Sequence, residues 1–325
     1  MTRVQSMSQK PAIIIDLRFN QDNVRAGLKG AFLDREVINR ADPANRDKDL
    51  SHAHYALLWK PMDDLFSRAT GLKALFSGGA GVDHVLTLPG LPDLPLVRFV
   101  DPSLTNRMSE WVVMQCLMHL RQHVAYNRQH AKKLWSPLNQ PEASDLTVGV
   151  MGMGVLGTDS ARKLKIMGFN VVGWSRTKKS VEGIETFEGS ELDAFLGKTD
   201  ILVGLLPLTP DTKGIFNAAL FAKLRRGGAL GAPVFINAGR GGSQVEADII
   251  AAIEKGVLKG ASLDVFETEP LPASSKLWSM DTVLMTPHTA SDSEARALFA
   301  HVERQIDRYE AGQPLQHLVS RDAGY

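Results

Sequence analysis

The segment Val148-Gly149-Val150-Met151-Gly152-Met153-Gly154-Val155-Leu156-Gly157 constrains this chain more than any other. An apolar, β-rich run over 146–151 enters a Gly-x-Gly-x-x-Gly sequence, and a helical pattern over 159–167 and a second apolar run over 170–174 follow. Each glycine has a separate physical task. Gly152 permits the tight turn, Gly154 lets the backbone approach a pyrophosphate, and Gly157 lets the helix pack closely on the sheet. The pyrophosphate then sits on the N–H groups of the helix start, at Val155 and Leu156, where the helix dipole favours anions. Three glycines at this spacing also occur in ordinary turns. The strand–turn–helix–strand context is what points to a dinucleotide.

The end of the second run indicates which dinucleotide. A site for NAD places an Asp or Glu about 20 residues beyond the fingerprint, to accept hydrogen bonds from the ribose 2′-OH. Here that stretch reads Trp174-Ser175-Arg176-Thr177-Lys178-Lys179, with no carboxylate. A 2′-phosphate needs donors and cations, and a guanidinium offers a planar fork to its oxygens. The reading is therefore NADP(H), with Ser175 and Arg176 as main contacts and Lys178 or Lys179 assisting. A solvated basic loop is the plainer alternative.

The remainder of the chain repeats the same alternation. Apolar runs at 12–17 (with Asp16 near its end), 55–59, 74–77 and 96–100 predict strands of a parallel sheet, as do runs at 200–206, 234–237, 261–265 and 282–285. A helical pattern over 109–133 follows the boundary-like Asp101-Pro102-Ser103-Leu104, and a final helix is expected over 293–311. At 325 residues the chain suits two domains. The fold class expected is α/β, with two doubly wound parallel sheets of Rossmann type and an active-site cleft between them. A net charge of +1 gives no signal for nucleic acid or membrane. The single cysteine, Cys116, excludes an internal disulfide framework and reads as a buried thiol. No His/Asp/Glu cluster has metal-ligand spacing. There is no run of 18 apolar residues, and Met1-Thr2-Arg3-Val4-Gln5-Ser6-Met7 lacks the apolar core of a signal peptide, so a cytoplasmic location is expected.

Open α/β sheets bind ligands beyond the carboxyl ends of their strands. Arg240, Asp264, Glu269 and His288 all fall at or just beyond such predicted ends. At these residues the chain resembles the D-isomer-specific 2-hydroxyacid dehydrogenases, most closely their glyoxylate/hydroxypyruvate reductase A branch. Four islands carry the resemblance. They are the fingerprint with Trp174-Ser175-Arg176-Thr177, Leu205-Leu206-Pro207 with Thr209-Pro210, Asn237-Ala238-Gly239-Arg240-Gly241, and Leu263-Asp264-Val265-Phe266 with Glu269-Pro270 and Thr286-Pro287-His288.

The resemblance implies a substrate-binding, flavodoxin-like domain over 1–104 and 289–325 and a dinucleotide-binding domain over 105–288. It implies reduction of a small 2-keto acid with His288 as proton donor, Glu269 holding the imidazole and favouring its protonated form, and Arg240 on the substrate carboxylate and carbonyl. An imidazole, with an ordinary pKa near ~6.5, exchanges protons near neutrality. Asp264 matches a position near the nicotinamide carboxamide, and Leu206, Pro207 and Ala238 line the cofactor. The backbone of Gly79, Ala80 and Gly81 would offer donors to the substrate carboxylate, and Trp59 would line the pocket. Asp83 and His84 read as structural. Lys60 departs from the residue usual in close relatives, and Gly227 to Pro233 is a longer approach to the strand before Arg240. Trp135 lies where the family builds a homodimer. Two other functions stay open: oxidation of another D-2-hydroxyacid of phosphoglycerate or lactate type, and a dinucleotide-sensing scaffold.

Overall fold

The computed structural model describes residues 10–325, so the Met1 to Met7 stretch considered above lies outside the described residues. The chain divides into two compact units, bounded as Met1–Pro102 with Ser293–Tyr325 and as Ser103–Asp292.

The first unit is built on a parallel sheet of β1 (Lys10–Leu17), β2 (Arg35–Asn39), β3 (Ala53–Trp59), β4 (Ala74–Ser77) and β5 (Leu96–Val97), in the order β2-β1-β3-β4-β5. This is the doubly wound order of flavodoxin-like sheets. Consecutive Ile13, Ile14 and Ile15 are all fully buried. Adjacent residues of a strand point to opposite faces, so both faces of β1 are covered, and an unbroken apolar run is what such a strand needs. Burying one such side chain contributes about 1.5–3 kcal/mol. The helix Ala295–Glu310 brings the chain back to this unit, where Glu310 accepts hydrogen bonds from Arg35 at 2.8 Å and Tyr55 at 3.1 Å.

The second unit contains β6 (Thr147–Met151), β7 (Asn170–Ser175), β8 (Glu185–Glu188), β9 (Ile201–Gly204), β10 (Val234–Asn237), β11 (Gly260–Leu263) and β12 (Val283–Met285), all parallel, in the order β12-β11-β10-β9-β6-β7-β8. The order reverses between β6 and β9, the switch point at which a Rossmann sheet opens a crevice. Met151 pairs with Gly204, Gly204 with Asn237, Asn237 with Leu263, and Leu263 with Met285. This register sets the residues that follow each of these strands at one level along a single edge of the sheet.

Several local expectations change. The helix expected over 109–133 is two helices, Pro102–Leu120 and His123–Ala131. Gln122 separates them in a left-handed conformation with φ 54°. Its side chain donates to the Asn139 carbonyl and receives Lys259 Nζ at 3.4 Å, partners distant in sequence that periodicity does not reveal. The first helix starts at Pro102, because proline suits a helix's first turn. The helix after the fingerprint begins at Val155 rather than 159, and β5 stops at Val97 rather than 100. β2 and β8 were not expected. Each is short and begins with a charged residue, Arg35 or Glu185, so apolar patterning is weak there.

Candidate active site

In the second unit, Gly152 follows β6 with φ 110°, a conformation that a side chain disfavours. A Cβ on Gly157 would lie 1.9 Å from the Gly152 carbonyl oxygen, so the helix Val155–Ile166 can approach the turn only through glycine. A Cβ on Gly154 would meet nothing within 4 Å. The protein itself therefore does not require glycine at 154, and the open space beside its backbone suits an approaching pyrophosphate. Gly154 is the N-cap of that helix and supplies no side-chain cap. The first-turn N–H groups, including those of the half-exposed Leu156 and the exposed Val155, are left for an anion.

Ser175 closes β7, and its hydroxyl donates to the Thr177 carbonyl at 2.7 Å. That bond shapes the turn from which Arg176, Lys178 and Lys179 project as exposed side chains. No carboxylate lies among them. Buried Leu206 and half-buried Pro207 follow β9, which neighbours β6 in the sheet, and buried Ala238 follows β10, one strand further on.

The other half of the same edge carries titratable groups. Arg240 follows β10, and the side chains of Ser243 and Asn237 fix its carbonyl and the preceding amide. Ser243 Oγ donates to its carbonyl at 2.6 Å, Asn237 Nδ2 does so at 3.3 Å, and Asn237 Oδ1 accepts from the Gly239 amide at 3.0 Å. Asn237 in turn donates to Gln244 at 2.8 Å, and Gln244 donates to the Val265 carbonyl at 2.9 Å. The two loops after β10 and β11 are thereby joined by buried amides.

His288 follows β12 with φ 55°, an uncommon conformation for a residue bearing Cβ, though one histidine adopts more readily than most. Its Nδ1 lies 2.8 and 3.0 Å from the two carboxylate oxygens of Glu269. A carboxylate can only accept, so Nδ1 is the donor and Nε2 is the nitrogen that Glu269 does not engage. Glu269 also accepts from the Phe266 amide at 3.2 Å, which fixes the carboxylate in turn. Both side chains are partly exposed, 35% for His288 and 22% for Glu269, so the pair is reachable.

Asp264 is buried, and its hydrogen bonds serve this loop. Its Oδ1 accepts from Thr286 Oγ1 at 2.6 Å and from the amides of Thr289 and Ala290 at 2.8 and 3.0 Å. Its carbonyl receives the His288 amide at 2.8 Å. Trp111 Nε1 adds a bond to Thr286 Oγ1 at 3.1 Å. Asp264 thus holds the left-handed His288 turn in place. Asn237, Gln244, Thr286 and Trp111 are supporting residues that reading along the chain did not single out. Only Asn237 and Thr286 carry a local signal, since each lies in one of the four motif islands.

In the first unit, Trp59 closes β3 with its ring 4.3 Å from that of His84 and 5.8 Å from that of Phe19. A Cβ on Gly79 would lie 2.5 Å from the Trp59 ring, so this loop passes the indole only as glycine. The Gly79 amide donates to Ser77 Oγ at 3.3 Å, and the Gly81 carbonyl accepts from the same hydroxyl at 3.0 Å. Among the described residues the amides of Ala80 and Gly81 have no such internal acceptor. Of the three donors expected here, these two are therefore the better placed. Trp135 is 97% exposed beside half-exposed Leu134. Burial pushes the Cys116 thiol up, which makes it a poor nucleophile.

The family model for the D-isomer specific 2-hydroxyacid dehydrogenase NAD-binding domain matches residues 113–290. The chain belongs to this family. It is 41% identical over 284 residues to the glyoxylate/hydroxypyruvate reductase A of Escherichia fergusonii, an overlap of 85% of this chain and 89% of that one. Among solved structures, the NADPH-dependent glyoxylate/hydroxypyruvate reductase of Sinorhizobium meliloti, in complex with NADP and sulfate, superposes with a TM-score of 0.96 at 66% identity, covering 97% and 100% of the two chains. A probable 2-hydroxyacid dehydrogenase of Rhizobium etli, with NADP, HEPES and L(+)-tartaric acid, gives 0.93 at 61% identity, covering 97% and 99%. Among the described residues no group of three or more His, Cys, Asp or Glu could hold a metal ion, and no helix is long and apolar enough to cross a membrane.

Proposed function

We propose that this NADP-dependent oxidoreductase reduces a small 2-keto acid, converting glyoxylate to glycolate and hydroxypyruvate to glycerate. The observation that carries the reading is the His288–Glu269 pair, aligned at 2.8 Å on the strand-end edge that also presents Arg240 and the glycine fingerprint. The residues present suit NADP(H). Gly152, Gly154 and Gly157 with Val155 and Leu156 would take the pyrophosphate. Arg176 and Lys178 would meet the 2′-phosphate, with Ser175 shaping their turn, and Leu206, Pro207, Ala238 and Asp264 would border the cofactor.

When bound, the reduced nicotinamide supplies a hydride to the carbonyl carbon. The chain's own groups do the remaining work. Glu269 holds Nδ1–H, so the Nε2–H of a protonated His288 faces the ketone oxygen and delivers its proton there. The residual imidazole is neutral and recharges from solvent, to which it is partly open. Arg240 binds the substrate carboxylate and polarises the ketone, stabilising negative charge as it develops on oxygen. On the first unit, the Ala80 and Gly81 amides, with Gly79, would offer donors to a carboxylate, and Trp59 would line the substrate pocket. Under this reading 1–104 with 289–325 bind substrate, and 105–288 hold the dinucleotide. The exposed Leu134 and Trp135 mark the face through which a cytoplasmic homodimer forms. Sedimentation of the wild type against Trp135→Ala tests that assembly.

The deciding experiment follows loss of NADPH absorbance with glyoxylate, hydroxypyruvate, pyruvate and phosphohydroxypyruvate, repeated with NADH. Fast NADPH-dependent loss with either of the first two is expected. Tight NADPH binding without turnover of any of them would reject the reading.

A further inference from the structure

Trp59 is followed by Lys60, which takes a left-handed backbone with φ 48°. Six residues other than glycine do this among the described residues, and His288 is another of them. A residue with a Cβ persists there only where surrounding contacts impose the geometry. Those contacts are identifiable. Buried Asp16, level with Leu58 across the β1–β3 register, accepts the Met62 amide on Oδ2 at 3.1 Å. The same oxygen accepts Arg40 at 3.1 Å, and Arg40 also reaches Asp64 at 2.7 Å. Arg40 is itself anchored by its amide on the Ile15 carbonyl at 2.9 Å. Arg18 then clamps the turn from outside. Its Nε donates to the Lys60 carbonyl at 2.9 Å and its amide donates to the Trp59 carbonyl at 3.1 Å. The Trp59 and Lys60 carbonyls and the Met62 amide are thus each met by a group from the end of β1.

We infer that Asp16 and Arg18 are positioning residues for substrate. They hold the Trp59–Met62 turn so that the indole lies against Gly79 beside the Gly79-Ala80-Gly81 amides, and they set the affinity for the keto acid without touching it. This rests on the reading of Trp59 as a wall of the substrate pocket. A purely stabilising role predicts something different. The Arg35–Glu310–Tyr55 network ties the same unit together near the opposite ends of the strands, far from that turn, and its loss lowers stability alone.

The test compares Asp16→Asn, Arg18→Ala, Arg18→Lys, Trp59→Ala and Glu310→Gln in steady-state kinetics and thermal melting of the full chain. Losing a bond that orders the turn is expected to raise KM for glyoxylate and hydroxypyruvate about five- to tenfold. In the Asp16 and Arg18→Ala variants kcat and the NADPH KM stay near wild type. Arg18→Lys retains a cationic donor and recovers most of the loss. Glu310→Gln lowers Tm with KM unchanged. Should Asp16→Asn fail to fold, because it unbalances the buried Arg40, exposed Arg18 decides alone. A Trp59→Ala variant with raised KM beside unchanged Arg18→Ala and Asp16→Asn variants overturns the positioning role only. Unchanged KM in Trp59→Ala removes the pocket reading beneath it.

Discussion

The two ends of the parallel sheets are built to different rules. At the carboxyl ends of the second unit's strands stand Gly152 at positive φ, the left-handed His288, and the partly exposed His288–Glu269 pair. At the amino ends stand closed ionic contacts. Buried Asp200, just before β9, accepts the Thr147 amide at 2.8 Å and Arg225 at 3.1 Å, and Lys198 meets Glu185 at 2.7 Å. The first unit is mixed: Lys10, Arg35 and Glu310 meet at the amino ends, while the end with Trp59 and the glycine loop also holds the buried Asp16–Arg40 pair. In the second unit strain and accessible charge fall where ligands are expected, and charges are paired where none are. Parallel strands impose this polarity, because every strand end of one kind falls on the same edge.

The contrast can be broken from either side, and the expected effects on turnover fall in order. Replacing His288 by Asn at the carboxyl edge is expected to lower kcat by about 10²- to 10⁴-fold with NADPH binding retained. Single-turnover kinetics with a cofactor-binding titration would check it, and near-wild-type kcat would remove His288 from the chemistry. Gly157→Ala drives a Cβ into the Gly152 carbonyl, where backbone rather than a flexible side chain must yield. A fall in NADPH affinity larger than any fall in Tm is expected, read by fluorescence titration and melting. Arg176→Asp places a carboxylate where a 2′-phosphate would lie. Charge-assisted bonds of this type are worth about 1.5–3 kcal/mol, so the NADPH KM is expected to rise roughly 10- to 100-fold while that for NADH stays level or falls. An unchanged NADPH KM would reject the cofactor site as drawn.

At the amino edge the same assays should stay silent. Asp200→Asn removes the charge facing Arg225 and is expected to cost about 1–3 kcal/mol of stability with kcat and both KM values unchanged. A kinetic effect there would break the division between the two ends. The smallest effect near neutrality is one of pH. Burial, aided by Lys259, lowers His119 to about 4, and its ring meets Ser262 at 2.8 Å. Burial, with Arg304 and His317 beside it, likewise lowers His301 to about 4. Both rings are neutral in the folded chain, whereas an unfolded histidine titrates near ~6.5. The stability they contribute is full above ~6.5, declines as pH falls through that value, and is gone below about 4. His119→Gln should make urea unfolding less sensitive to pH between 6.5 and 4.5, by about one proton's worth of slope. An unaltered slope would show that the ring is not buried neutral.

Much of the carboxyl edge was legible along the chain. Fingerprint, strand ends and motif islands are local patterns, and the parallel register converts them into one edge. β1, β3, β4 and β10 were legible for a related reason. Strands covered on both faces must be continuously apolar, as Ile13 to Ile15 are. Local patterns stopped serving where distant partners choose the conformation. Gln122 breaks a helix whose periodicity continues through it, because its side chain binds Asn139 and Lys259. β2 and β8 carry too little apolar signal to stand alone, and form because a neighbouring strand offers them a ladder.

By itself the sequence determined the glycine turn after β6, the doubly wound class and the identity of the titratable groups, because these depend on residue type at fixed short spacings. Only the tertiary structure decided that Asp264 holds the His288 turn, that Glu269 meets Nδ1 and leaves Nε2, and that Asp16 ties down the turn after Trp59. Each of those facts is a hydrogen bond between residues 19 to 46 positions apart, and its geometry exists only once the strands between them have paired.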